Sequence, residues 1–504
     1  MKKITASLER LDTAGLKKNK AQVKKEGSSK LVLSTKALGL DLSAIANQPM
    51  LVINHLQKHG FKAYLVGGCI RDLILGKKPK DFDVSTNATP EQVHRLFTNS
   101  RIIGRRFKIV HVVYGREIIE VTTFRSNKEA PKFLQGKTRV SAESGMLIRD
   151  NVYGKSIVED SQRRDFTINA LYLDPIKKEV YDFNGGIYDI QQGVIDIIGD
   201  PETRYSEDPV RMIRALRFSA KLDFKIPKRS SDPIKKLGNK LLEVSNARMF
   251  EEVNKLFLTG HGLESFRVLR KYKFFELLFP NSEELLDNQN YINFVEHALI
   301  NSDKRYAEDK RNMPHFLYAV IMWTIFQRDL FLLNQRTNSM VSPISQAELV
   351  KCILNDVLDT QERVTALPMA VSDSIKALWR MQLTLNEIDD IKNIEEITSR
   401  NIFRASYDFF VLRSKFEPYL AQAVKFWEGY YEKSKALAEK RKFQNQEKFA
   451  LRKSKKKFKK EAPKENVKKT PAKESFADEK NISAKRKEQL KKAKAWRAAM
   501  KLDI

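Results

Sequence analysis

The run Lys80-Asp81-Phe82-Asp83-Val84-Ser85 sets two carboxylates two residues apart. In a β-strand such residues project to one face, so Asp81 and Asp83 stand side by side while Phe82 packs inward. Paired carboxylates repel each other unless a cation lies between them, and Mg²⁺ favours carboxylate and water oxygens together with substrate phosphates. Just upstream, Tyr64-Leu65-Val66-Gly67-Gly68-Cys69-Ile70-Arg71-Asp72 reads as a strand that meets two glycines and then a helix. That arrangement lets backbone N–H groups approach a triphosphate. Alone, an Asp-x-Asp is more often an exposed acidic strand, and a Gly-Gly more often a plain turn. Their succession makes a metal and phosphate site a coherent reading. A third acid, Glu120, lies among apolar residues in the β-rich run Glu117–Phe124. An acid buried there needs a partner, either a metal or an arginine.

Four motifs follow one another in order: Gly67-Gly68-x-x-Arg71-Asp72, Asp81-x-Asp83, Arg163-Arg164-Asp165-Phe166-Thr167-Ile168-Asn169-Ala170, and Glu207-Asp208-x-x-Arg211-x-x-Arg214. Together they resemble the class II nucleotidyltransferases, the family of poly(A) polymerases and CCA-adding enzymes. The resemblance covers about residues 50–430 and is strongest to about 260. It implies an α/β polymerase-β-like nucleotidyltransferase head followed by all-helical neck and body domains. It also implies two Mg²⁺ ions on Asp81 and Asp83, with Mn²⁺ able to substitute and Glu120 as a supporting ligand. One ion would acidify an RNA 3′-hydroxyl and the other neutralise a triphosphate. Asp165 matches an aspartate counted with the active-site acids, and an ion pair to Arg71 or Arg164 is the simpler role for it. Asn169, at i+4 from Asp165, is expected on the same helical face, within reach of a ribose hydroxyl. Gly67, Gly68 and Arg71 fall to the triphosphate.

Asp208 before Pro209 reads as a helix N-cap with proline at the first helical position. Asp208, Arg211 and Arg214 also share a helix face, where a carboxylate and a guanidinium can meet the edge of a base. Adenine offers an amino donor beside a ring-nitrogen acceptor, which suits Asp and Arg. Cytosine offers the same order, so the pair excludes GTP and UTP without choosing between ATP and CTP. The stretch Gly104-Arg105-Arg106-Phe107, with His111 after it, resembles the polyadenylating branch, as do Phe403-Arg404-Ala405 and Lys425-Phe426-Trp427. The expected function is a template-independent polyadenylate polymerase that adds AMP from ATP to RNA 3′ ends, of mRNA and other transcripts, and promotes their turnover. A CCA-adding or A-adding tRNA nucleotidyltransferase is the alternative on the same fold. An RNA-binding protein that has lost catalysis is the alternative from another class.

The elements that must position these residues follow from periodicity. Ala63–Val66, Phe82–Ser85, Ile109–Tyr114, Glu117–Phe124 and Leu171–Leu173 read as strands of a head over residues 46–185, with a polar loop between Arg125 and Met146. Beyond Asp208, apolar spacings of three and four, as in Phe250, Val253, Phe257 and Ile375, Trp379, Leu383, are helical. A helical neck is expected over 186–275 and a helical body over 276–430, both contacting RNA. Residues 1–45 read as a basic flexible arm and 431–504 as a Lys-rich disordered tail. That tail holds 26 Lys/Arg against 10 Asp/Glu, over half of the chain's net +29, and suits a sequence-blind grip on a polyanion. Two distant cysteines, Cys69 and Cys352, allow neither a disulfide framework nor a zinc site and point to a reducing compartment. The basic start lacks the apolar core of a secretory signal. The longest uncharged apolar run, Phe316–Phe326, is shorter than a membrane span and reads as a buried helix. A monomer acting in the cytoplasm, assisted by RNA-decay proteins, is the expectation.

Overall fold

The computed structural model describes residues 11–104, 108–126, 153–154, 156–337, 345–389, 391, 393–437 and 439–440. Arg105–Phe107, most of the loop after Arg125, and the tail beyond residue 440 lie outside the described residues.

Eight short strands form one sheet in the order β1-β8-β7-β2-β3-β6-β5-β4. They are β1 Leu31–Ser34, β2 Ala63–Val66, β3 Asp83–Thr86, β4 Ser100–Ile103, β5 Ile109–Tyr114, β6 Glu117–Thr123, β7 Leu171–Asp174 and β8 Glu179–Asp182. Among the pairings of these strands only β3 with β6 is parallel. Central β7 is buried at all four positions, because both faces of the sheet are covered there. Edge strands β1 and β4 alternate half-buried with exposed residues, as edges with one solvated face do. The helix Asn47–Lys58 buries Val52, Ile53 and Leu56 in the core it shares with β2 and β3. A smaller aromatic cluster packs Tyr64 with Phe124, Tyr172 and Tyr181.

The arm expected to be flexible is ordered from residue 11. Thr13–Glu26 is a helix capped by the Asp12 carboxylate and closed by Gly27, and β1 pairs with β8. Lys20, only 7% exposed, reaches into the head and meets Asp189 at 2.5 Å and Asp196 at 3.4 Å. A buried ion pair of this kind holds a basic segment that composition alone assigns to solvent.

From Pro201 onward the described elements are helical. Val253 and Phe257 are fully buried in Asn246–Phe257, and Ile375 and Trp379 in Met369–Asn386, as their spacing requires. The helix Pro314–Thr337 is, among the described residues, the one long and apolar enough to cross a membrane. Its Leu317–Trp323 run is instead buried within the protein, with Trp323 against Phe326, Trp379 and Phe409.

Candidate nucleotidyltransferase site

β2 stops at Val66 because Gly67 takes φ 85° and ψ −139°, a conformation open to glycine alone. The chain then enters the helix Gly68–Ile74. Arg71, buried under this turn, donates from Nη1 to Asn169 Oδ1 at 2.6 Å and from Nε and Nη2 to Asp72 Oδ1 at 2.9 and 2.7 Å. A Cβ on Gly68 would stand 3.3 Å from Arg71 Nη2, so the small residue there leaves room for the guanidinium.

The register of β3 brings the acids to this turn. Asp83 pairs across from Val66, the last residue of β2, while Val84 pairs with Val121 of β6. Glu120, the residue before Val121, therefore lies beside Asp83. Asp81 and Asp83 are exposed and Phe82 between them is 8% exposed, so the expected alternation holds although β3 begins at Asp83. Loss of water in the cleft, then the charge of Glu120, push the Asp83 carboxyl up to about 6, with Arg164 opposing and Asp81 adding. Glu120 departs from expectation. It is not buried among apolar neighbours; its side chain is 49% exposed and its Oε1 lies 3.4 Å from Nε2 of His111, its cross-strand neighbour. The partner is thus a histidine and not an arginine, because the antiparallel β5–β6 pairing sets those two side chains opposite each other. Among the described residues no three His, Cys, Asp or Glu side chains form a ready-made metal cluster. Two carboxylates with open positions for water and phosphate suit Mg²⁺, and the repulsion from Glu120 and Asp81 that adds to the effect of burial on Asp83 is what a cation would relieve.

Asp165 and Asn169 do not share a helix. Phe166 is extended and bridges Ile197, followed by one 3₁₀ turn at Thr167–Asn169. Thr167 N donates to Asp196 O and Ile198 N to Asp165 O, and these bridge hydrogen bonds replace the i→i+4 ladder. Asp165 pairs neither with Arg71 nor with Arg164. It accepts from Arg214 Nε at 2.8 Å and Nη2 at 2.5 Å, and from its neighbour Phe166 N. Burial works to raise its carboxyl, but Arg214 and that backbone N–H hold it below the usual carboxylate range. Arg164 instead donates to Asp160 and to the Tyr172 hydroxyl.

The proposed base-reading face is also differently engaged. The helix Val210–Leu222 starts one residue later than expected, with Pro209 as its cap residue, and Asp208 Oδ1 accepts from Val210 N at 3.3 Å. The Asp208 carboxylate is gripped by Arg248 at 2.8 and 2.7 Å. Arg211 donates to Arg204 O and to Glu207, and Arg214 turns to Asp165. The three side chains thus engage different partners. Sequence reasoning missed Arg248 and Arg204, the latter donating to the carbonyls of Arg163 and Arg164. Arg248 carries no local signal, and Arg204 shows only its i+3 neighbour Glu207, because the Asp208 carboxylate and the Arg163 and Arg164 carbonyls reach them through the packing of distant segments.

A mixed sheet carrying paired acids beside a Gly-Gly turn, followed by helices, defines a nucleotidyltransferase. The fold matches the CCA-adding enzyme of Bacillus stearothermophilus with CTP, at TM-score 0.52 and 21% identity, over 76% of this chain and 82% of that one. Family models match in succession: "Poly A polymerase head domain" at 63–196, "Probable RNA and SrmB- binding site of polymerase A" at 223–286, and "Polymerase A arginine-rich C-terminus" at 345–464. Poly(A) polymerase I of Escherichia coli O6:H1 is 41% identical over 388 residues, 76% of this chain and 82% of that protein. A CCA-adding enzyme of Lactobacillus helveticus is 35% identical over 240 residues, 47% of this chain and 57% of that protein. The chain belongs to the poly(A) polymerase I family.

Proposed function

We propose that the chain is a template-independent polyadenylate polymerase in which Asp81 and Asp83 carry the metal ions of the reaction. The observation that supports this best is the register that sets Asp83 beside both the Gly67 turn and Glu120. Bound there, Mg²⁺ would supply neutralisation of the triphosphate and acidification of the RNA 3′-hydroxyl. The chain's own groups orient the reactants. Gly67 and Gly68 leave room for phosphate oxygens, and Arg71, braced by Asn169 and Asp72, presents fixed positive charge to them. Asp165 holds Arg214, and with it the helix Val210–Leu222 that carries Arg211 and begins just after Asp208, against the head. For Asp208 to accept from the adenine amino group, the Arg248 guanidinium must share it or move aside. The 3′-oxygen then bonds to the α-phosphorus as the bond to the β-phosphate breaks, releasing pyrophosphate. Two metal ions, action as a monomer in the cytoplasm, and help from RNA-decay proteins complete this reading. CCA or A addition to tRNA is the second reading, because Asp208 and Arg211 accept cytosine by the same logic. Primer extension with Asp83→Asn tests the metal assignment: activity within a few fold of the parent contradicts it.

A further inference from the structure

Lys80, next to Asp81 in the chain, reaches from the head to the helical region. Its ammonium lies over the Tyr306 ring, 4.0 Å from the centroid, and donates to the Tyr306 hydroxyl. Tyr306 stands in the last turn of the helix Gln289–Ala307. Its ring is also fixed by Gly260, which takes φ 84° and packs so closely that a Cβ there would collide with it. The contact joins two stretches of chain 226 residues apart.

Both stretches are basic. Residues 77–80 carry three lysines and no acid, and residues 304–311 carry four Lys/Arg against two acids. Glu308 is already paired with Lys310 at 2.7 Å. That leaves six cations, Lys77, Lys78, Lys80, Lys304, Arg305 and Arg311, facing Asp309 alone within the two stretches, and all six are exposed. Lys304 and Arg305 suit the negative C-terminal end of their helix, an ordinary local reason for a cation. Lys77, Lys78 and Arg311 stand outside regular structure and have no such reason.

Cations drawn together from two distant segments repel one another, and a chain of phosphates relieves that repulsion. The surface begins at the residue before Asp81, beside which the 3′-hydroxyl must lie, so the polyanion best placed to cover it is the strand being extended. We propose that residues 77–80 and 304–311 form one basic surface that grips the phosphates of single-stranded RNA just upstream of its 3′ end. Exposed ammonium and guanidinium groups on phosphate position a strand without reading its bases, which suits extension of many different ends. The proposal rests on the reading of the chain as an RNA-tailing enzyme.

The test uses the full chain without ATP and a fluorescein-labelled twelve-nucleotide oligo(A), with a single uncharged methylphosphonate linkage walked along it and binding read by anisotropy. A phosphate contact on a single strand carries a salt slope of about 0.7, so each contacted linkage should cost about fivefold in affinity at roughly 0.1 M salt. About two to four adjacent linkages near the 3′ end should show this penalty. The fourfold variant Lys77→Gln, Lys78→Gln, Lys304→Gln, Arg311→Gln changes exposed side chains only. It should erase those penalties and flatten the salt slope by about two to three, with the melting temperature retained. The half-variants Lys77→Gln/Lys78→Gln and Lys304→Gln/Arg311→Gln should each erase part of the same run of linkages. A flat methylphosphonate profile, or one the same in parent and variants, overturns the proposal. Loss of binding to phosphatidylserine vesicles in the variants, with the RNA profile unchanged, overturns it in favour of a lipid surface. Failure of the polymerase reading shows separately, as no ATP incorporation by the parent.

Discussion

Replacing Lys20 with methionine removes the one cation that, among the described residues, contacts Asp189. Lys20 Nζ meets Asp189 at 2.5 Å, and without it the carboxylate keeps, among the described residues, only the Thr167 hydroxyl at 2.6 Å. Asp196 is less affected, since Arg229 and Ser230 still donate to it at 2.7 and 2.9 Å. Removing one partner of a buried pair costs about 3–5 kcal/mol, because the other charge is left uncompensated. The loss depends on pH in a definite direction. Burial holds the Asp189 carboxyl up at about 6 against 3.8 when exposed, despite Lys20. In the parent, the stability that Asp189 contributes therefore falls as pH rises from 3.8 through about 6 and then levels off. In Lys20→Met the folded carboxyl ionises later still, so the penalty continues to grow above pH 6. Melting curves at pH 5 and pH 8 read this directly: a deficit on the order of 5–10 °C at pH 8 that shrinks at pH 5. An unchanged melting temperature at pH 8, or the same deficit at both pH values, would refute the role given to this pair.

The metal site carries its own pH signature. Burial, with the charge of Glu120, pushes the Asp83 carboxyl up to about 6, and its protonated form cannot ligate, so the Mg²⁺ concentration needed for half-maximal extension should rise up to about tenfold per pH unit below that value and be flat above it. A flat requirement from pH 5 to 8 contradicts Asp83 as a ligand. Asp83→Asn should lower ATP incorporation by at least 10²- to 10³-fold while RNA binding persists. Arg248→Met, which frees the Asp208 carboxylate, should change KM for ATP about tenfold with a smaller change in kcat; an unchanged KM means Arg248 plays no part near the base. Deleting residues 441–504 should flatten the dependence of RNA affinity on log salt by at least two, about three phosphate contacts, with single-nucleotide chemistry kept. An equal slope shows that this Lys-rich segment does not touch RNA.

Legibility followed locality. Asp81, Phe82 and Asp83 could be placed because a two-residue period needs only adjacent residues, and β2 and β5 agree with the observed strands end to end for the same reason. β1, β4 and β8 are not legible: the edge pair shows only two half-buried positions apiece, and β8 sets just two apolar residues between two acids. The helix Thr13–Glu26 reads in sequence as a flexible arm because its anchor, Lys20, is indistinguishable there from the lysines around it; what differs is Asp189, far along the chain. The neighbourhood of Asp83 and Glu120 depends on a parallel pairing of β3 with β6, which no local pattern encodes. For Asp165 the expected partner, Arg71 or Arg164, gives way to Arg214. Its link to Arg214 and the link of Asp208 to Arg248 are set by how the helices pack, and several arginines nearby were equally plausible by type.

The most direct measurement is extension of a generic single-stranded RNA by the purified full-length protein with Mg²⁺ and each nucleoside triphosphate in turn. Long extension with ATP alone is the expected result. Addition of CTP to tRNA lacking its 3′ end would contradict the choice of polyadenylation, and no incorporation from any triphosphate would contradict catalysis at Asp81 and Asp83.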